Sequence, residues 1–156
     1  MDELKSILVT GGAGYIGSVL THKLIESGYN VRIIDSLIYG KDGISDLISN
    51  NSVELIEKDI RDEKTLNDVV KEIDCVIHLA AIVGDPLCKK IPVAAKQINE
   101  DATKKLVIVS KNHGVKRFIF ASTCSNYGSA STIVDENSPI QSLSLYSTTK
   151  VNSENF

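Results

Sequence analysis

The sequence lacks the features of a nucleic-acid-binding, membrane-spanning or secreted protein. Its formal net charge is −3 and its pI is about 5.6, so it has no excess of basic residues to attract nucleic acid or an anionic membrane. The longest apolar run, residues 76–83, is far shorter than a membrane span and is interrupted by His78. The charged first residues do not resemble a signal peptide, so we expect a cytoplasmic protein.

Cysteines are few and widely spaced. Cys75, Cys88 and Cys124 form an odd-numbered set without a C-x-x-C pair, which argues against a disulfide framework and against a zinc site. We therefore expect three free thiols that are buried or half-buried, and no metal centre.

The chain of 156 residues has room for one ordinary domain, and 42% hydrophobic with 24% charged residues is typical of a globular protein. It has no internal repeat and no Pro/Gly/Ser-rich linker, so residues 1–156 are interpreted as one unit. The last helical stretch begins at about Leu145 and reaches Phe156 without a cap or a stop signal. We therefore expect a dinucleotide-binding domain that is incomplete at its C-terminal side.

Apolar runs alternate with helical patterns along the chain. Nearly continuous apolar strands separated by helices predict a parallel sheet that is covered on both faces. Right-handed crossovers then lead to the α/β, doubly wound (Rossmann) arrangement with strand order 3-2-1-4-5. Strands are predicted at residues 7–10, 31–35, 53–57, 75–80 and 118–121, and helices at residues 15–27, 62–73, 93–112 and from about residue 145.

A glycine-rich turn joins the first predicted strand to the first predicted helix. Residues 10–17 contain G-x-G-x-x-G at Gly12, Gly14 and Gly17, where main-chain N–H groups and the helix N-terminus can bind a pyrophosphate. Asp35 ends the second strand, where a carboxylate accepts hydrogen bonds from ribose hydroxyls and repels a 2′-phosphate. These residues predict NAD rather than NADP as the cofactor; a glycine turn that only packs the helix is the alternative.

Tyr146 and Lys150 are four residues apart, which places them on one face of a helix. An ammonium beside the phenol favours the phenolate, so the pair could exchange a proton with a substrate hydroxyl near neutral pH. Thr123 follows the fifth strand, at the sheet edge where ligands bind, and its hydroxyl could contact the reacting oxygen. The alternative for the pair is a solvated helix face.

Other residues near the carboxyl edge of the sheet leave more than one interpretation open. Asp59 fits a loop or helix-cap role as well as an adenine contact. His78, inside an apolar strand, is expected to be a core histidine rather than a base. Asn99 is either an exposed helix residue or a polar contact toward the pocket. Residues 80–82 and 59–60 are expected to wall the cofactor pocket.

Taken together, the motifs at 10–17, 59–60, 78–81 and 146–150, with Asp35 and Thr123, resemble those of the extended short-chain dehydrogenase/reductases. Within that group the chain is similar to the NAD-dependent epimerase/dehydratase family, which acts on nucleotide sugars. The resemblance implies that Tyr146 is the catalytic acid/base, Lys150 its partner that also binds the nicotinamide ribose, and Thr123 the substrate-orienting hydroxyl. The cofactor-binding residues that it implies, together with the glycine turn, are Gly11, Gly14, Tyr15, Ile16, Gly17, Asp35, Ser36, Leu37, Gly40, Asp59, Ile60, Leu79, Ala80, Ala81, Val83, Asn99 and Lys150.

The resemblance further implies a nucleotide-sugar epimerase that transiently oxidises a sugar carbon with tightly bound NAD. The related sugar dehydratases usually have acidic residues after the Thr, where this chain has Cys124 and Ser125, so an epimerase or a reductase is favoured over a dehydratase. Family members are about twice as long and add a substrate-binding lobe. We therefore expect residues 1–156 alone to bind a dinucleotide without catalysis, and the family's habit of pairing through the helices that carry Asn99 and Tyr146 suggests a homodimer.

Overall fold

Five parallel strands form one sheet in the order β3-β2-β1-β4-β5 in the computed structural model, which describes residues 4–130 and 132–156. This confirms the predicted doubly wound sheet and its strand order. The strands are β1 (Ser6–Thr10), β2 (Asn30–Asp35), β3 (Val53–Glu57), β4 (Cys75–His78) and β5 (Arg117–Phe120).

Both faces of the sheet are covered. Side chains alternate between the two faces of a strand, yet Ile7, Leu8 and Val9 of β1 are all at most 4% exposed. β1 lies between β2 and β4, with Ile7 paired to Val31 and to Cys75. The central strand is therefore buried on both sides, as expected of a parallel sheet with helices on each face.

Seven α-helices accompany the sheet in the described residues. The predicted helices at 15–27, 93–112 and from about 145 are present, but a π-helical segment interrupts the second. The helix predicted over 62–73 ends at Val69, and Glu72, in a left-handed conformation with φ of 61°, lies beyond its end. Two short helices and two 3-10 turns (Asp42–Ile44 and Cys124–Tyr127) were not predicted. The helices are α1 (Tyr15–Glu26), α2 (Ser45–Ser49), α3 (Glu63–Val69), α4 (Asp85–Lys90), α5 (Pro92–Lys96), the π segment (Gln97–Ala102), α6 (Thr103–Asn112) and α7 (Leu145–Glu154).

The chain folds into two compact units. The first unit, residues 1–80 and 105–121, contains the whole sheet with α1, α2 and α3. The second unit, residues 81–104 and 122–156, contains α4, α5, the π segment and α7. No helix in residues 4–130 or 132–156 is long and apolar enough to cross a membrane.

The amino-terminal edge of the sheet is tied together by one carboxylate. Asp74, just before β4, accepts hydrogen bonds from the main-chain N–H groups of Lys5 and Ser6 at 2.9 and 3.0 Å. The ammonium of Lys116, just before β5, lies 3.0 Å from the same carboxylate. These donors hold the pKa of Asp74 far below its usual range, the two main-chain hydrogen bonds being the largest cause. Asp74 therefore links the start of β1 to those of β4 and β5.

Replacing Asp74 by Asn is expected to lower Tm at pH 7, because the folded state loses the charged acceptor for these donors. A carboxyl whose pKa is lowered on folding stabilises the fold above its unfolded pKa of about 3.9, and this contribution disappears as pH falls through the folded pKa. The Tm difference between D74N and the wild type should therefore shrink below about pH 4. Thermal unfolding followed by circular dichroism from about pH 2 to 8 measures this, with the exposed Asp42→Asn as control; a pH-independent difference would contradict it.

Candidate functional site

The turn between β1 and α1 presents main-chain donors. α1 begins at Tyr15, its N-cap is Gly14, no side chain caps it, and its first turn contains no acidic residue. The N–H groups of a helix's first turn have no intrahelical acceptor, and the helix dipole makes this end positive. Tyr15 is 94% and Ile16 is 65% exposed. The helix start is thus an open, positively polarised site suited to an anionic group.

Two glycines of this turn have no room for a side chain. Gly11 has a φ of +72°, and a Cβ there would lie 2.8 Å from the main-chain N of Ala80. A Cβ on Gly17 would lie 2.1 Å from the carbonyl oxygen of Gly11 and 2.7 Å from the Cα of Gly12. The first turn of α1 therefore packs directly on the backbone of the glycine turn, which only a residue without a Cβ permits.

Asp35 lies at the end of β2 and is half-buried beside the glycine turn. Its Oδ2 accepts a hydrogen bond from the N–H of Ala13 at 3.0 Å, and its Oδ1 accepts one from the N–H of Leu37 at 2.8 Å. A carboxylate oxygen has further lone pairs, so both oxygens keep acceptor capacity. The following turn closes with Gly40 donating to the carbonyl of Leu37 and leaves Ser36 exposed.

Asp59 and Ile60 follow β3 in the same unit. The carboxylate of Asp59 pairs with the guanidinium of Arg61 at 2.6 Å, and this contact is the main reason that its pKa is lowered. The cap of α3 is Asp62, which accepts from two N–H groups of the helix, so the helix-cap alternative for Asp59 is wrong. Ile60 is 5% exposed. An adenine contact by either residue stays a prediction.

The end of β4 is fixed by Thr10. Its Oγ1 accepts a hydrogen bond from the N–H of Ala80 at 3.2 Å and lies 2.6 Å from Nδ1 of His78. His78 is 1% exposed and stacks on Phe120, which confirms it as a core histidine. Thr10 therefore holds the main chain at Leu79 and Ala80, both half-buried, against the turn.

In the second unit, Asn99 fixes the segment that follows β4. Its Oδ1 accepts from the N–H of Ile82 at 2.7 Å and its Nδ2 donates to the carbonyl of Ile82 at 2.9 Å. Asn99 is 1% exposed, so the exposed-residue alternative is wrong. Its amide is already used in holding residues 81–83, where Ala81 is half-buried and Val83 is exposed. A direct approach of Asn99 to the cofactor stays a prediction.

Asn99 also lies in the π segment, where the main-chain bonding is irregular. Its carbonyl oxygen accepts hydrogen bonds from the hydroxyl of Thr103 at 2.9 Å and from that of Ser153 at 3.0 Å. Ser153 belongs to α7, the helix that carries Tyr146 and Lys150. Single π turns occur often at functional sites because they displace one residue from the regular helix. Here the displaced carbonyl ties the π segment to α7.

Lys150 on α7 is turned into the protein. It is 3% exposed, so the solvated-face alternative is wrong for this residue. Burial disfavours the charged form and lowers the pKa of Lys150 to about 8, which the negative charge of Glu154 partly opposes. Lys150 can therefore change its charge close to physiological pH.

Tyr146 is half-buried, and its phenol forms a hydrogen bond with the side chain of Thr123. Thr123 also accepts from the N–H of Ser125 at 3.1 Å, which caps the 3-10 turn. Burial raises the pKa of Tyr146, and the Thr123 bond opposes this rise. The predicted lowering of the Tyr146 pKa is thus not present in the structure, because desolvation of the phenol outweighs the stabilisation of the phenolate.

The three cysteines are free thiols, and among the described residues no cluster of His, Cys, Asp or Glu could hold a metal ion. Cys75 and Cys88 are buried, as predicted, and burial raises the pKa of both. Cys124 is exposed, so the expectation for that residue is wrong. It lies in the 3-10 turn directly after Thr123, where the chain returns to the surface.

Comparison with known proteins identifies the family. Residues 7–156 match the model of the NAD dependent epimerase/dehydratase family. The chain belongs to this family. The match confirms the resemblance found in the sequence motifs, and the family's own description names NAD.

Individual relatives agree with this assignment. The chain is 37% identical over 151 residues to UDP-glucose 4-epimerase of Halalkalibacterium halodurans, covering 94% of this chain and 43% of that protein. Among solved structures, it is similar to the UDP-Glc/GlcNAc 4-epimerase of Campylobacter jejuni, with a TM-score of 0.91, 30% identity and coverage of 97% and 47%. The UDP-N-acetylglucosamine 4-epimerase of Methanobrevibacter ruminantium gives a TM-score of 0.90, 33% identity and coverage of 98% and 49%. The chain thus spans about half the length of these relatives.

Sequence reasoning missed three residues that organise the site. Thr10 is predicted only as the end of a strand, although its place before the glycines makes its hydroxyl available to the neighbouring strand end. Asn126 donates to Ser122 and Glu154, and Glu154 follows Lys150 by one helical turn. The i, i+4 spacing of Lys150 and Glu154 is a usable signal. No sequence signal marks the contact of Asn126 with Glu154, because it joins a turn to a helix residue 28 positions away.

Replacing Gly17 by Ala is expected to destabilise the chain by about 1–3 kcal/mol, because the new Cβ forces α1 away from the glycine turn. The matched control is Gly14→Ala, whose Cβ would lie 3.3 Å from the Gly11 carbonyl oxygen and should cost less. Urea unfolding measures both variants. Equal stability of G17A and wild type would contradict the close packing described here.

Proposed function

We propose that this chain forms the NAD-binding part of an enzyme that interconverts epimers of nucleotide sugars by transient oxidation of a sugar carbon. The observation that carries the proposal is the second unit's arrangement, in which Tyr146 is hydrogen-bonded to Thr123 and followed one turn later by the buried Lys150. A buried lysine costs stability, so its presence one helical turn after a half-buried phenol favours a chemical role. Family membership, and relatives that are UDP-sugar 4-epimerases, support the same function.

The first unit fits NAD on three structural observations. The N-terminus of α1 is uncapped and open, which suits the pyrophosphate. The glycine turn packs so closely on neighbouring backbone that a Cβ fits at neither Gly11 nor Gly17, as in the tight turn of a dinucleotide-binding motif. The carboxylate of Asp35 is fixed by two main-chain N–H groups and keeps lone pairs for the ribose hydroxyls. We propose the turn 35–40 for the adenosine ribose and Lys150 for the nicotinamide ribose.

In the proposed reaction, NAD would, when bound, supply the hydride acceptor and donor for the sugar carbon. Tyr146, as the phenolate, takes the proton from the sugar hydroxyl as the C–H bond breaks and becomes a neutral phenol. It gives the proton back when the C–H bond re-forms on the other side of the carbon, which restores the phenolate. The hydroxyl of Thr123 hydrogen-bonds the reacting oxygen and the phenolate. The Lys150 ammonium, in a dry environment where charges interact strongly, stabilises the phenolate that takes the proton and that is restored when the proton is returned.

NAD should bind more tightly than NADP, by about tenfold or more, because the Asp35 carboxylate repels a 2′-phosphate. In Asp35→Asn this preference should fall severalfold, since the repulsion is lost. Isothermal titration calorimetry with NAD and with NADP measures both affinities. Asp42→Asn, an exposed carboxylate that lies beyond the turn, is the control and should leave the preference unchanged. An unaltered preference in D35N would contradict the assignment of Asp35 to the ribose.

Tyr146→Phe in the intact protein should lower kcat for interconversion of UDP-glucose and UDP-galactose by about 10²-fold or more, because the proton acceptor is lost. NAD affinity should change little, since the phenol is not needed to hold the cofactor. Product analysis by chromatography gives the rate, and calorimetry gives the affinity. Tyr127→Phe, which removes the same hydroxyl from a neighbouring turn, is the control. A near-normal rate in Y146F would rule out its acid/base role.

A further inference from the structure

Asn126 connects the turn that follows Thr123 to the end of α7. It is 4% exposed, and its Nδ2 donates to the hydroxyl of Ser122 at 3.1 Å and to Oε2 of Glu154 at 3.0 Å. The Thr123 hydroxyl, three residues before Asn126, bonds to Tyr146 at the start of the same helix. The turn is therefore attached to α7 at both ends, at Tyr146 through Thr123 and at Glu154 through Asn126.

The amide of Asn126 is used only as a donor among the described residues. Its Oδ1 is buried and has no hydrogen-bond partner there. A buried unsatisfied acceptor costs free energy, so this orientation of the amide must be offset by what its donor side gains. The donor side, which faces Ser122 and Glu154, is the part that makes contacts.

Glu154 lies four residues after Lys150, so the two side chains are neighbours on one face of α7. Its carboxylate is exposed to solvent on one side and bonded to Asn126 on the other. The negative charge acts on Lys150 in the direction opposite to burial. The carboxylate of Glu154 is thus placed to favour the protonated form of the buried Lys150 amine.

Other ionisable groups on the elements packed against α7 are directed elsewhere. Asp85 and Cys88 of α4 and Cys124 of the 3-10 turn act on Tyr146. On the π segment, Glu100 pairs with Lys104 at 2.8 Å and accepts from Asn152, and Asp101 pairs with Lys96 of α5 at 2.7 Å. The remaining ionisable side chains of these elements, Lys89, Lys90 and Tyr127, are two ammonium groups, which oppose a charge on Lys150, and a phenol.

We propose that Glu154 is a positioning residue for Lys150: its carboxylate, fixed by Asn126, keeps the buried Lys150 amine in the charged form that the phenol and the cofactor ribose require. The effect of Glu154 on the charge of Lys150 is a property of this chain, and only the use of that charge by the phenol and the ribose rests on the proposed function. Asn126 acts on Lys150 through Glu154, whose carboxylate it holds, and this role requires no contact between Asn126 and the substrate.

The direct test measures the titration of Lys150 in the chain without cofactor. Competitive acetylation with a trace of isotope-labelled acetic anhydride, followed by peptide mass spectrometry across about pH 6 to 11, gives a midpoint for each lysine. Wild-type Lys150 should titrate near pH 8. In Glu154→Gln the midpoint should fall by about half a pH unit or more, roughly a threefold or larger change in the ratio of charged to neutral amine. Glu136→Gln, which removes an exposed carboxylate from the same unit, should leave it in place.

Two further variants separate a charge effect from a loss of folding. Glu154→Asp keeps the charge, so the Lys150 midpoint should return at least part of the way from its E154Q value to its wild-type value. Asn126→Leu keeps the size of the side chain but removes the donor, and should move the midpoint in the same direction as E154Q by a smaller amount. Circular dichroism checks that each variant folds; if E154Q does not fold, the Asn126 variant decides. A midpoint that stays at the wild-type value in a folded E154Q or N126L variant would overturn the proposal.

Calorimetry with NAD at about pH 7 and pH 8.5 distinguishes this inference from the proposed function. The affinity of E154Q should fall more than that of wild type between the two pH values, because more of Lys150 is neutral at the higher pH. If wild type binds no NAD, the proposed function fails while the shift of the Lys150 midpoint can still be observed. If NAD binds and the midpoint does not move, the function stands and Glu154 has no such role.

Discussion

The close approach of two backbone segments is the constraint on which the first unit depends. α1 can begin where it does only because Gly17 has no Cβ to collide with the carbonyl of Gly11. The N-terminus of this helix has no side-chain cap and is open at its end. In the same turn, the N–H of Ala13 donates to Asp35, so the carboxylate of β2 is held beside the turn. Close backbone packing and a helix start suited to an anionic group thus occur in the same glycine turn.

The second unit is organised by side chains that bond to the main chain. Asn99 satisfies both main-chain groups of Ile82, and its own carbonyl accepts from Ser153 of α7. Thr123 caps its turn and contacts Tyr146. These contacts pair main-chain groups of irregular backbone that would otherwise lack a partner within the protein. The residues proposed for chemistry therefore lie on well-supported segments, as precise positioning of reacting groups requires.

The strands and their order could be predicted because apolar periodicity and crossover handedness are local or topological properties. The start of α7 was also predictable, and Ser144 with Ser147 supplies its capping box. Features that depend on tertiary contacts could not be predicted. In the π segment, the carbonyl of Asn99 bonds to Ser153 of α7, and the contact of Asn126 with Glu154 likewise joins residues that are distant in sequence. The exposure of Cys124 likewise depends on how the chain turns after Thr123.

Burial acts on Tyr146 and Lys150 in opposite directions on the pKa scale and for the same reason. It raises the pKa of the phenol and lowers that of the ammonium, since each charged form loses hydration. Relative to its ordinary pKa, each group is thereby shifted toward its neutral form. A neighbouring group opposes each shift: Thr123 for the phenol and Glu154 for the ammonium. In a site with little water, the protonation of Tyr146 and Lys150 depends on the few polar contacts that the fold supplies. In this chain those contacts lie between α7 and the turn after Thr123.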